Sequence, residues 1–233
     1  MAVYQLDEEL WFPLPYDGEN DGLIAVGGDL SVNRLILAYT YGIFPWYAYK
    51  VYDEPLWYCP LQRFVIFPQE IHISHSLRTL MNRRRYEITM DCDFDGVIRN
   101  CSTTDKRNSH YGSWLGPHII EAYTELHRRG LARSVEVWDS SGDDGERKLV
   151  GGLYGVYLNG GFFGESMFSL APNTSKLALV HLAQWLEVEG GKFIDCQFET
   201  PHLKSMGGRH IHWEDYIDLL AVKLDRSVIG WGI

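Results

Sequence analysis

The sequence predicts an α+β fold, with a small, irregular N-terminal domain over residues 1–63 and a larger main domain over residues 64–233. Three observations lead to this prediction. The first part is rich in loop-forming and aromatic residues. From residue 64 onward, short strand-like runs are interspersed with amphipathic helical stripes. The chain of 233 residues is 45% hydrophobic and 22% charged, as is typical of folded proteins with a substantial core.

In the N-terminal part, one helix is predicted between loops. Residues 11–30 are rich in Pro, Gly and Asp, which predicts a loop. Either Asp29 or Ser31 can then cap a helix that ends near Gly42. The helix is indicated by apolar residues at spacings of three and four, namely Val32, Leu35, Ile36 and Tyr39.

The larger part is predicted to combine strands, a hairpin and three helices. The runs R-F-V-I-F-P, Y-E-I-T-M-D and A-R-S-V-E-V-W are typical of strands. Asn159-Gly160 predicts a tight turn between L-V-G-G-L-Y-G-V-Y-L and F-F-G-E-S-M-F. The helices are predicted from Pro117 to Gly130, from Asn173 or Thr174 (as cap) to about Glu189, and over roughly 213–225. The last helix is expected to face inward with Ile217, Leu220, Ala221 and Leu224.

The register of the hairpin decides where Glu165 lies. A three-residue loop pairs Gly155 with Glu165. The same loop pairs Leu153 with Met167 on the same face. A two-residue loop instead puts Glu165 opposite Tyr154. Both registers remain open at the level of sequence.

The run F-I-D-C-Q-F at residues 193–198 predicts a strand with an unusual polar pair. Alternation places Ile194, Cys196 and Phe198 on one apolar face. The opposite face then carries Asp195 and Gln197, about 7 Å apart at Cα. A glutamine amide can orient an attacking amine or donate to an oxyanion, and a neighbouring carboxylate can polarise that amide. The alternative is an edge strand with one solvated face.

Three other groups of residues each have a functional and a simpler structural interpretation. His72, His75, His202, His210 and His212 offer possible zinc ligands, but they match no metal motif, so no metal is expected. Cys196 with His202 resembles a thiol nucleophile and its base, although a buried, inert thiol fits the apolar face better. Trp46 and Trp114 either stack a nucleobase or close the seam between the two domains.

Charge and cysteine usage limit the possible functions. The net charge is −10 and the isoelectric point about 5.3, which argues against a general nucleic-acid binder. Local basic clusters remain, for example around Arg83 and around Arg128. None of the four cysteines forms a C-x-x-C pair, the first residues do not resemble a signal peptide, and no apolar run reaches about 20 residues. We therefore expect a cytoplasmic protein without a membrane anchor.

Several motifs, in order along the chain, resemble one known family. These are G-L-I-A-V-G-G-D-L-S, A-Y-x-x-G-I-F-P-W, V-E-V-W, V-G-G-L-Y-G-V, F-F-G-E-S-M-F-S, N-T-S-K and D-C-Q. Together they resemble the leucyl/phenylalanyl-tRNA–protein transferases over about residues 12–217. The resemblance implies a main domain similar to the GCN5-related N-acetyltransferases, with a mixed sheet flanked by helices. It also implies transfer of Leu, Phe or Met from aminoacyl-tRNA to proteins, which marks them for the N-degron pathway.

The resemblance also implies roles for individual residues. Asp195 and Gln197 match the catalytic pair, and Glu165 matches the acidic residue beside the aminoacyl group. An apolar side-chain pocket is implied for Leu153, Phe162, Met167, Leu179, Leu182 and Ile194. Aromatics around the terminal adenosine are implied for Trp46, Trp114, Tyr39 and Tyr123. Ile194 is a point of conflict, because strict strand alternation puts it behind the pocket while the resemblance puts it in the wall.

The expected partners follow from the same resemblance. They are the 3′ end of aminoacyl-tRNA and proteins with an N-terminal Arg or Lys, bound by a monomer. Because the ester of aminoacyl-tRNA is already activated, no cofactor, ATP or metal is expected. Two alternatives stay open: a non-catalytic adaptor that binds degron N-termini, and an acyltransferase of the same fold that acts on cell-wall precursors.

Overall fold

The structure is a computed structural model that describes residues 3–46, 54–108, 115–141, 146–225 and 227–229. Its N-terminal part contains a four-stranded sheet in the order β1-β2-β4-β3. The strands are β1 (Tyr4–Leu6), β2 (Leu23–Gly27), β3 (Phe44–Trp46) and β4 (Leu56–Tyr58). The strand β2 lies within residues 11–30, so the prediction of a continuous loop there was wrong. Its run L-I-A-V is apolar and largely buried, which outweighs the flanking glycines.

The larger sheet has seven strands in the order β11-β5-β10-β9-β8-β7-β6. Its strands are β5 (Gln62–Ile66), β6 (Tyr86–Met90), β7 (Ala132–Asp139), β8 (Lys148–Leu158), β9 (Gly161–Ser169), β10 (Phe193–Asp195) and β11 (Arg209–His212). The strands β9 and β10 pair in parallel, and the other pairs are antiparallel. The parallel pair needs a crossover connection, which a long helix supplies.

Among the described residues there are seven α-helices, α1 (Val32–Thr40), α2 (His75–Asn82), α3 (Phe94–Asn108), α4 (Pro117–Arg128), α5 (Thr174–Glu189), α6 (Pro201–Ser205) and α7 (Trp213–Leu220). The helix α5 is the crossover between β9 and β10, and both α3 and α5 pack on the central strands of the sheet. A mixed sheet flanked by helices, preceded by a smaller sheet, confirms the predicted α+β fold class.

Two apolar cores lie on opposite faces of the seven-stranded sheet. One contains Tyr154, Phe163 and Phe193, with side chains of α3, α4, α7 and the N-terminal sheet. The other contains their strand neighbours Leu153, Phe162 and Ile194, with side chains of α2 and α5. Adjacent residues of each strand therefore belong to different cores, as a pleated strand requires.

Helix ends agree with the sequence in part. The Ser31 side chain caps α1 by accepting from the backbone N–H of Arg34, as one of the two predicted caps. Asn173 precedes α5 in a left-handed conformation, without a side-chain capping hydrogen bond. The last helix ends at Leu220 because Ala221 is left-handed. The predicted extension to 225 was therefore wrong, and Ala221 and Leu224 are exposed.

The division at residues 63 and 64 stays a prediction. The strand β5 begins at Gln62, so the division falls inside the first strand of the larger sheet. The chain also returns to the N-terminal part, where Phe12 forms a bridge with Ile229. Within the described residues, no helix combines the length and apolarity needed to cross a membrane.

Candidate active site

A β-bulge in β9 sets the position of Glu165. The hairpin has a two-residue loop, Asn159-Gly160, so that Leu158 pairs with Gly161 and Gly155 pairs with Gly164. Beyond that point the register shifts, and Leu153 pairs with Met167. Each predicted register is therefore right over one half of the hairpin, while the predicted pairs of Glu165 with Gly155 or Tyr154 were wrong. Glu165 is the extra residue, and such bulges re-aim a side chain.

Gly155 permits this irregularity because it has no side chain. A Cβ atom at Gly155 would lie 2.1 Å from the backbone oxygen of Phe163 and 2.6 Å from the Phe162 ring. The two strands therefore approach each other more closely beside the bulge than an alanine would allow. The V-G-G-L-Y-G-V run thus shapes the strand next to Glu165.

The strand β10 ends at Asp195, earlier than predicted. Gln197 follows it in a left-handed conformation with φ of +57°. Its backbone N–H donates to the Asp195 carboxylate at 2.9 Å, and its backbone oxygen accepts from Phe64 at 3.3 Å. Because of this turn, Asp195 and Gln197 do not share a strand face. The expectation of a continuous strand over 193–198 was therefore wrong, and Ile194 lies in the core that contains Phe162 and Leu179.

Asp195 is completely buried in an ion pair with Arg63. The Arg63 Nε donates to both carboxylate oxygens at 2.9 Å, and Nη2 donates to Oδ2 at 2.7 Å. The Tyr216 hydroxyl donates to the same Oδ2 at 2.7 Å. Burial alone would lower the pKa of Arg63, but the adjacent Asp195 carboxylate raises it well above its ordinary value. The Arg63 guanidinium therefore stays charged within this pair.

The Glu165 carboxylate is held by two buried tyrosines. The Tyr39 hydroxyl donates to Oε1 at 2.7 Å, and the Tyr123 hydroxyl donates to Oε2 at 2.9 Å. The two hydroxyl groups also contact each other. Burial raises the pKa of Glu165 to about 7, although the hydrogen bonds from the tyrosines oppose this shift. The carboxyl group can therefore gain or lose a proton near neutral pH.

An apolar cavity of about 260 Å³ opens beside Glu165 and Gln197. All six residues predicted for a side-chain pocket line it, namely Leu153, Phe162, Met167, Leu179, Leu182 and Ile194. They come from β8, β9, β10 and α5. The fold therefore brings together predicted pocket residues that lie up to 41 positions apart in the sequence. Cys196, Thr200, His202 and Leu203 complete the wall on the side of α6.

A second cavity, of about 160 Å³, shares Glu165 and Gln197 with the first. Its other walls are Phe44, Pro45, Trp46 and Phe198. Trp46 is 43% exposed as a residue, and its ring lies 5.8 Å from the Phe198 ring, measured between centroids. A partly exposed indole at the edge of a cavity is suited to stacking. Trp114, predicted for the same role, lies outside the described residues.

Comparison with known proteins assigns the family. The profile of the family "Leucyl/phenylalanyl-tRNA protein transferase" matches residues 65–221, and that of its N-terminal domain matches residues 28–61. The chain belongs to the leucyl/phenylalanyl-tRNA protein transferase family. The resemblance seen in the sequence motifs is thereby confirmed.

Curated relatives in this family cover nearly the whole chain. The leucyl/phenylalanyl-tRNA–protein transferase of Syntrophobacter fumaroxidans is 47% identical over 99% of this chain and 94% of its own. That of Pseudomonas fluorescens is 49% identical over 88% of this chain and 87% of its own. Among solved structures, "The structure of L-PGS from Bacillus licheniformis" aligns with a TM-score of 0.40 and 14% identity, over 73% of this chain and 53% of that one. The family assignment rests on the sequence relatives.

Within this family member, Tyr39 and Tyr123 do not offer a surface to a base. Both side chains are fully buried, and their hydroxyl groups are directed to Glu165. The role around the terminal adenosine that the resemblance implies for them stays a prediction.

The structure also shows the surroundings of Cys196 and His202, the possible thiol nucleophile and its base. The Cys196 thiol donates to the backbone oxygen of Ile194 at 3.8 Å, and burial raises its pKa well above its ordinary value, which makes it a poor nucleophile. His202 borders the same cavity. Among the described residues, no group of three or more His, Cys, Asp or Glu side chains is arranged to hold a metal ion.

Sequence reasoning missed the residues that hold the site together. The sequence pattern places Arg63 only at the start of a strand, and no motif marks Tyr216, whose side chain is fully buried. A signal existed for Arg63, because it directly precedes an apolar run, and an arginine that is buried with such a run needs an acidic partner. Phe44 and Phe198 were also missed as walls of the aromatic cavity, since they lie in short segments without periodicity.

Proposed function

We propose that this protein transfers a leucyl or phenylalanyl group from its tRNA to the N-terminal amino group of an acceptor protein. One observation carries the proposal: an apolar cavity and an aromatic cavity meet at Glu165 and Gln197. An aminoacyl-adenosine has an apolar side chain at one end, a purine at the other and the reactive ester between them. The paired cavities fit that shape, with the ester beside the two polar residues.

The donor side chain would occupy the larger cavity. Its walls of Leu, Phe, Met and Ile bind through apolar contact, which favours Leu, Phe and Met over polar side chains. Its volume of about 260 Å³ exceeds the roughly 150 Å³ of a cavity known to bind benzene. A phenylalanyl ring therefore fits as well as a leucyl group.

The adenosine would occupy the aromatic cavity. Stacking of a base on an exposed aromatic ring contributes about 1–3 kcal/mol, and the partly exposed indole of Trp46 is suited to this contact. Phe44 and Phe198 close the cavity behind it and pack edge to face at 5.7 Å between centroids. Trp46 thus keeps the role implied by the resemblance, as part of this proposal.

The reaction needs alignment of the amine with the ester, and transfer of one proton from the amine to the ribose oxygen in two steps. The acceptor amine attacks the ester carbonyl, a peptide bond forms, and the bond to the ribose oxygen breaks. The amine proton must leave and the ribose oxygen must gain one. Glu165, with its pKa raised to about 7, is a suitable group to accept the first proton and to return it to the leaving oxygen. No ATP, metal or cofactor enters this sequence of steps.

Gln197 and Asp195 would have separate tasks. The Gln197 amide borders both cavities, and its Nε2 lies 3.5 Å from Glu165 Oε1, so its carbonyl oxygen is free to orient the attacking amine. Asp195 is completely buried and bonds to the backbone N–H of Gln197. We therefore treat Gln197 and Glu165 as catalytic residues and Asp195 as a positioning residue that fixes the left-handed turn.

The acceptor and cellular setting are finer parts of the proposal. An N-terminal Arg or Lys suits a chain with a net charge of −10, because the field of an acidic protein gathers cationic substrates. Transfer of a bulky apolar residue to such proteins would mark them for degradation through the N-degron pathway. We further propose that the protein acts as a monomer in the cytoplasm.

The deciding experiment is transfer of radiolabelled leucine from Leu-tRNA to a peptide that begins with Arg. Purified protein is expected to label this peptide, and an otherwise identical peptide that begins with Glu is the matched acceptor control. Binding of Leu-initiated peptides without any transfer would instead indicate the adaptor alternative. Transfer only to cell-wall precursors would indicate an acyltransferase of the same fold that acts on those precursors. Either result contradicts the proposed function.

The size of the apolar cavity should set donor preference. Leu182→Phe puts a larger side chain into the wall formed by α5. We expect phenylalanyl transfer to fall about tenfold relative to leucyl transfer, because small volume differences in apolar pockets discriminate by about 10–200-fold. The measurement is kcat/KM with each charged tRNA. Leu182→Met, which conserves volume, is the control, and an unchanged ratio in Leu182→Phe would remove this cavity from donor selection.

A further inference from the structure

The Arg63 guanidinium contacts two parts of the site at once. Its Nε and Nη2 hold the Asp195 carboxylate, which accepts the backbone N–H of Gln197 at 2.9 Å. The same guanidinium lies over the Phe44 ring, with 4.7 Å between Cζ and the ring centroid. Phe44 is a wall of the aromatic cavity, and Gln197 borders both cavities. One buried group therefore touches the support of Gln197 and the wall of the cavity proposed for adenosine.

These contacts cross from one sheet to the other. Arg63 lies in β5 and Asp195 in β10, which are neighbours in the seven-stranded sheet. Phe44 lies in β3, at the edge of the four-stranded sheet. Trp46 follows two residues later in β3, so its side chain leaves the strand on the same face as that of Phe44. The contact between Arg63 and Phe44 therefore helps to fix where Trp46 lies relative to the turn after β10.

The shape of the arginine side chain suits this double contact. Its remaining nitrogen, Nη1, is buried without a hydrogen-bond partner among the described residues, and the guanidinium packs on the rings of Phe44 and Tyr216. The Tyr216 centroid lies 5.0 Å from Cζ. A planar guanidinium can bond to a carboxylate through two nitrogens and also lie flat on a ring, which the ammonium group of lysine cannot do.

Stability alone does not explain a buried ion pair at this place. The cost of removing two charges from water offsets much of their attraction, so apolar residues of similar volume often give equal or higher stability. The three hydrogen bonds between Arg63 and Asp195 instead fix the orientation of both groups. Because transfer depends on alignment of the amine with the ester, a fixed orientation beside Gln197 has a direct use.

We propose that Arg63 is a positioning residue that fixes the aromatic cavity relative to Gln197, and so aligns the ester of the bound donor with the attacking amine. The inference rests on the proposed function and adds a residue that acts through Asp195 on one side and Phe44 on the other. Arg63 is completely buried and borders neither cavity, so it acts only through these neighbours.

The test uses Arg63→Lys, which keeps the charge but loses the bidentate contact and the planar contact with the Phe44 ring. Two quantities are measured. The first is kcat for leucyl transfer from Leu-tRNA to an Arg-initiated peptide, which we expect to fall by about 10–100-fold because the reacting groups are misplaced. The second is the Kd of leucyl-adenosine with an amide in place of the ester, measured by calorimetry. We expect this Kd to rise about fivefold, because the Phe44 wall loses its cation–π contact.

Two further variants make the test specific. Phe44→Leu leaves the ion pair in place and should also raise Kd and lower kcat; it tests the inference even if Arg63→Lys does not fold. Adding Arg63→Lys to Phe44→Leu should raise Kd little further, because both changes remove the same contact. Arg209→Lys is the matched control. Arg209 also lies over a ring, that of Phe67 at 4.4 Å, and pairs with Glu70, but it borders neither cavity, so both quantities should keep their wild-type values.

The possible results separate the inference from the proposed function. A lower kcat with unchanged Kd in Arg63→Lys restricts the residue to the support of Asp195 and overturns the inference. A lower unfolding midpoint with unchanged kcat and Kd also overturns it, because Arg63 is then only structural. Fully additive increases of Kd in the double variant contradict the contact with Phe44 as the cause. Absence of leucyl transfer by wild type contradicts the proposed function, and the inference with it.

Discussion

Glu165→Gln is expected to lower kcat by about 10²–10⁴-fold, the usual contribution of a positioned acid–base group. Glutamine keeps the shape of the side chain and can still bond to Tyr39 and Tyr123, but it cannot take up the amine proton. Single-turnover transfer from Leu-tRNA measures the effect on the chemical step. Glu189→Gln, at the exposed end of α5, is the matched control and should behave as wild type.

The pH dependence of the same variant tests the assignment more sharply. The raised pKa of Glu165, about 7, means that the ionised base is lost as the pH falls below 7. The transfer rate of wild type should therefore rise as the pH increases through about 7. The residual activity of Glu165→Gln should lack this step. If the variant shows the same rise in transfer rate near pH 7, the rise comes from the acceptor amine, and Glu165 is not the base.

Although Glu165→Gln is expected to lower activity, it is expected to raise the thermal stability of the protein at alkaline pH. A carboxyl group whose pKa is higher in the folded than in the unfolded chain stabilises the fold while it is protonated. This contribution is present below the ordinary pKa near 4.5 and is lost as the pH rises through about 7. At pH 8 the variant is therefore expected to unfold at a higher temperature than wild type, with a smaller difference at pH 5.5. Thermal unfolding at the two pH values measures this.

The contrast between sequence and structure at this site has a local cause. Apolar periodicity and the Asn159-Gly160 turn predicted the hairpin, because both depend on neighbouring residues. The bulge at Glu165 does not follow from alternation, since it shifts the register by one residue inside a strand. The left-handed Gln197 is similar: its conformation depends on bonds to Asp195 and Phe64 rather than on its own preference.

The pocket wall was predictable by a different route. Leu153, Phe162 and Ile194 were assigned to it by resemblance, and alternation alone misplaced Ile194. Alternation misplaces Ile194 because it assumes a strand that continues to Phe198, with Gln197 facing the pocket. In the structure the chain turns after Asp195, so Gln197 reaches the cavity from the turn while Ile194 faces it from the strand. The residue at which this strand ends depends on hydrogen bonds to residues elsewhere in the chain, which a single sequence does not reveal.

Arg63→Met is expected to have the largest effect on stability, because it leaves the Asp195 carboxylate buried without a cation. Removing one member of a buried ion pair costs about 3–5 kcal/mol, a large part of the roughly 5–15 kcal/mol that stabilises a typical protein. Urea unfolding at low temperature measures the loss. Arg209→Met is the matched control, since its pair with Glu70 is about half exposed and contributes at most about 1 kcal/mol.

Substitutions of Asp195, the other member of the ion pair, distinguish its effect on stability from its effect on catalysis. Asp195→Asn removes the charge that Arg63→Met leaves unpaired, so the double variant should lose less stability than the sum of the losses of the two single variants.

Asp195→Ala removes the acceptor for the Gln197 N–H and should lower kcat far more than the affinity for aminoacyl-tRNA. Because an asparagine oxygen can still accept that hydrogen bond, Asp195→Asn should retain more turnover than Asp195→Ala. If Asp195→Ala instead raises KM and leaves kcat unchanged, Asp195 contributes to substrate binding and not to the position of Gln197.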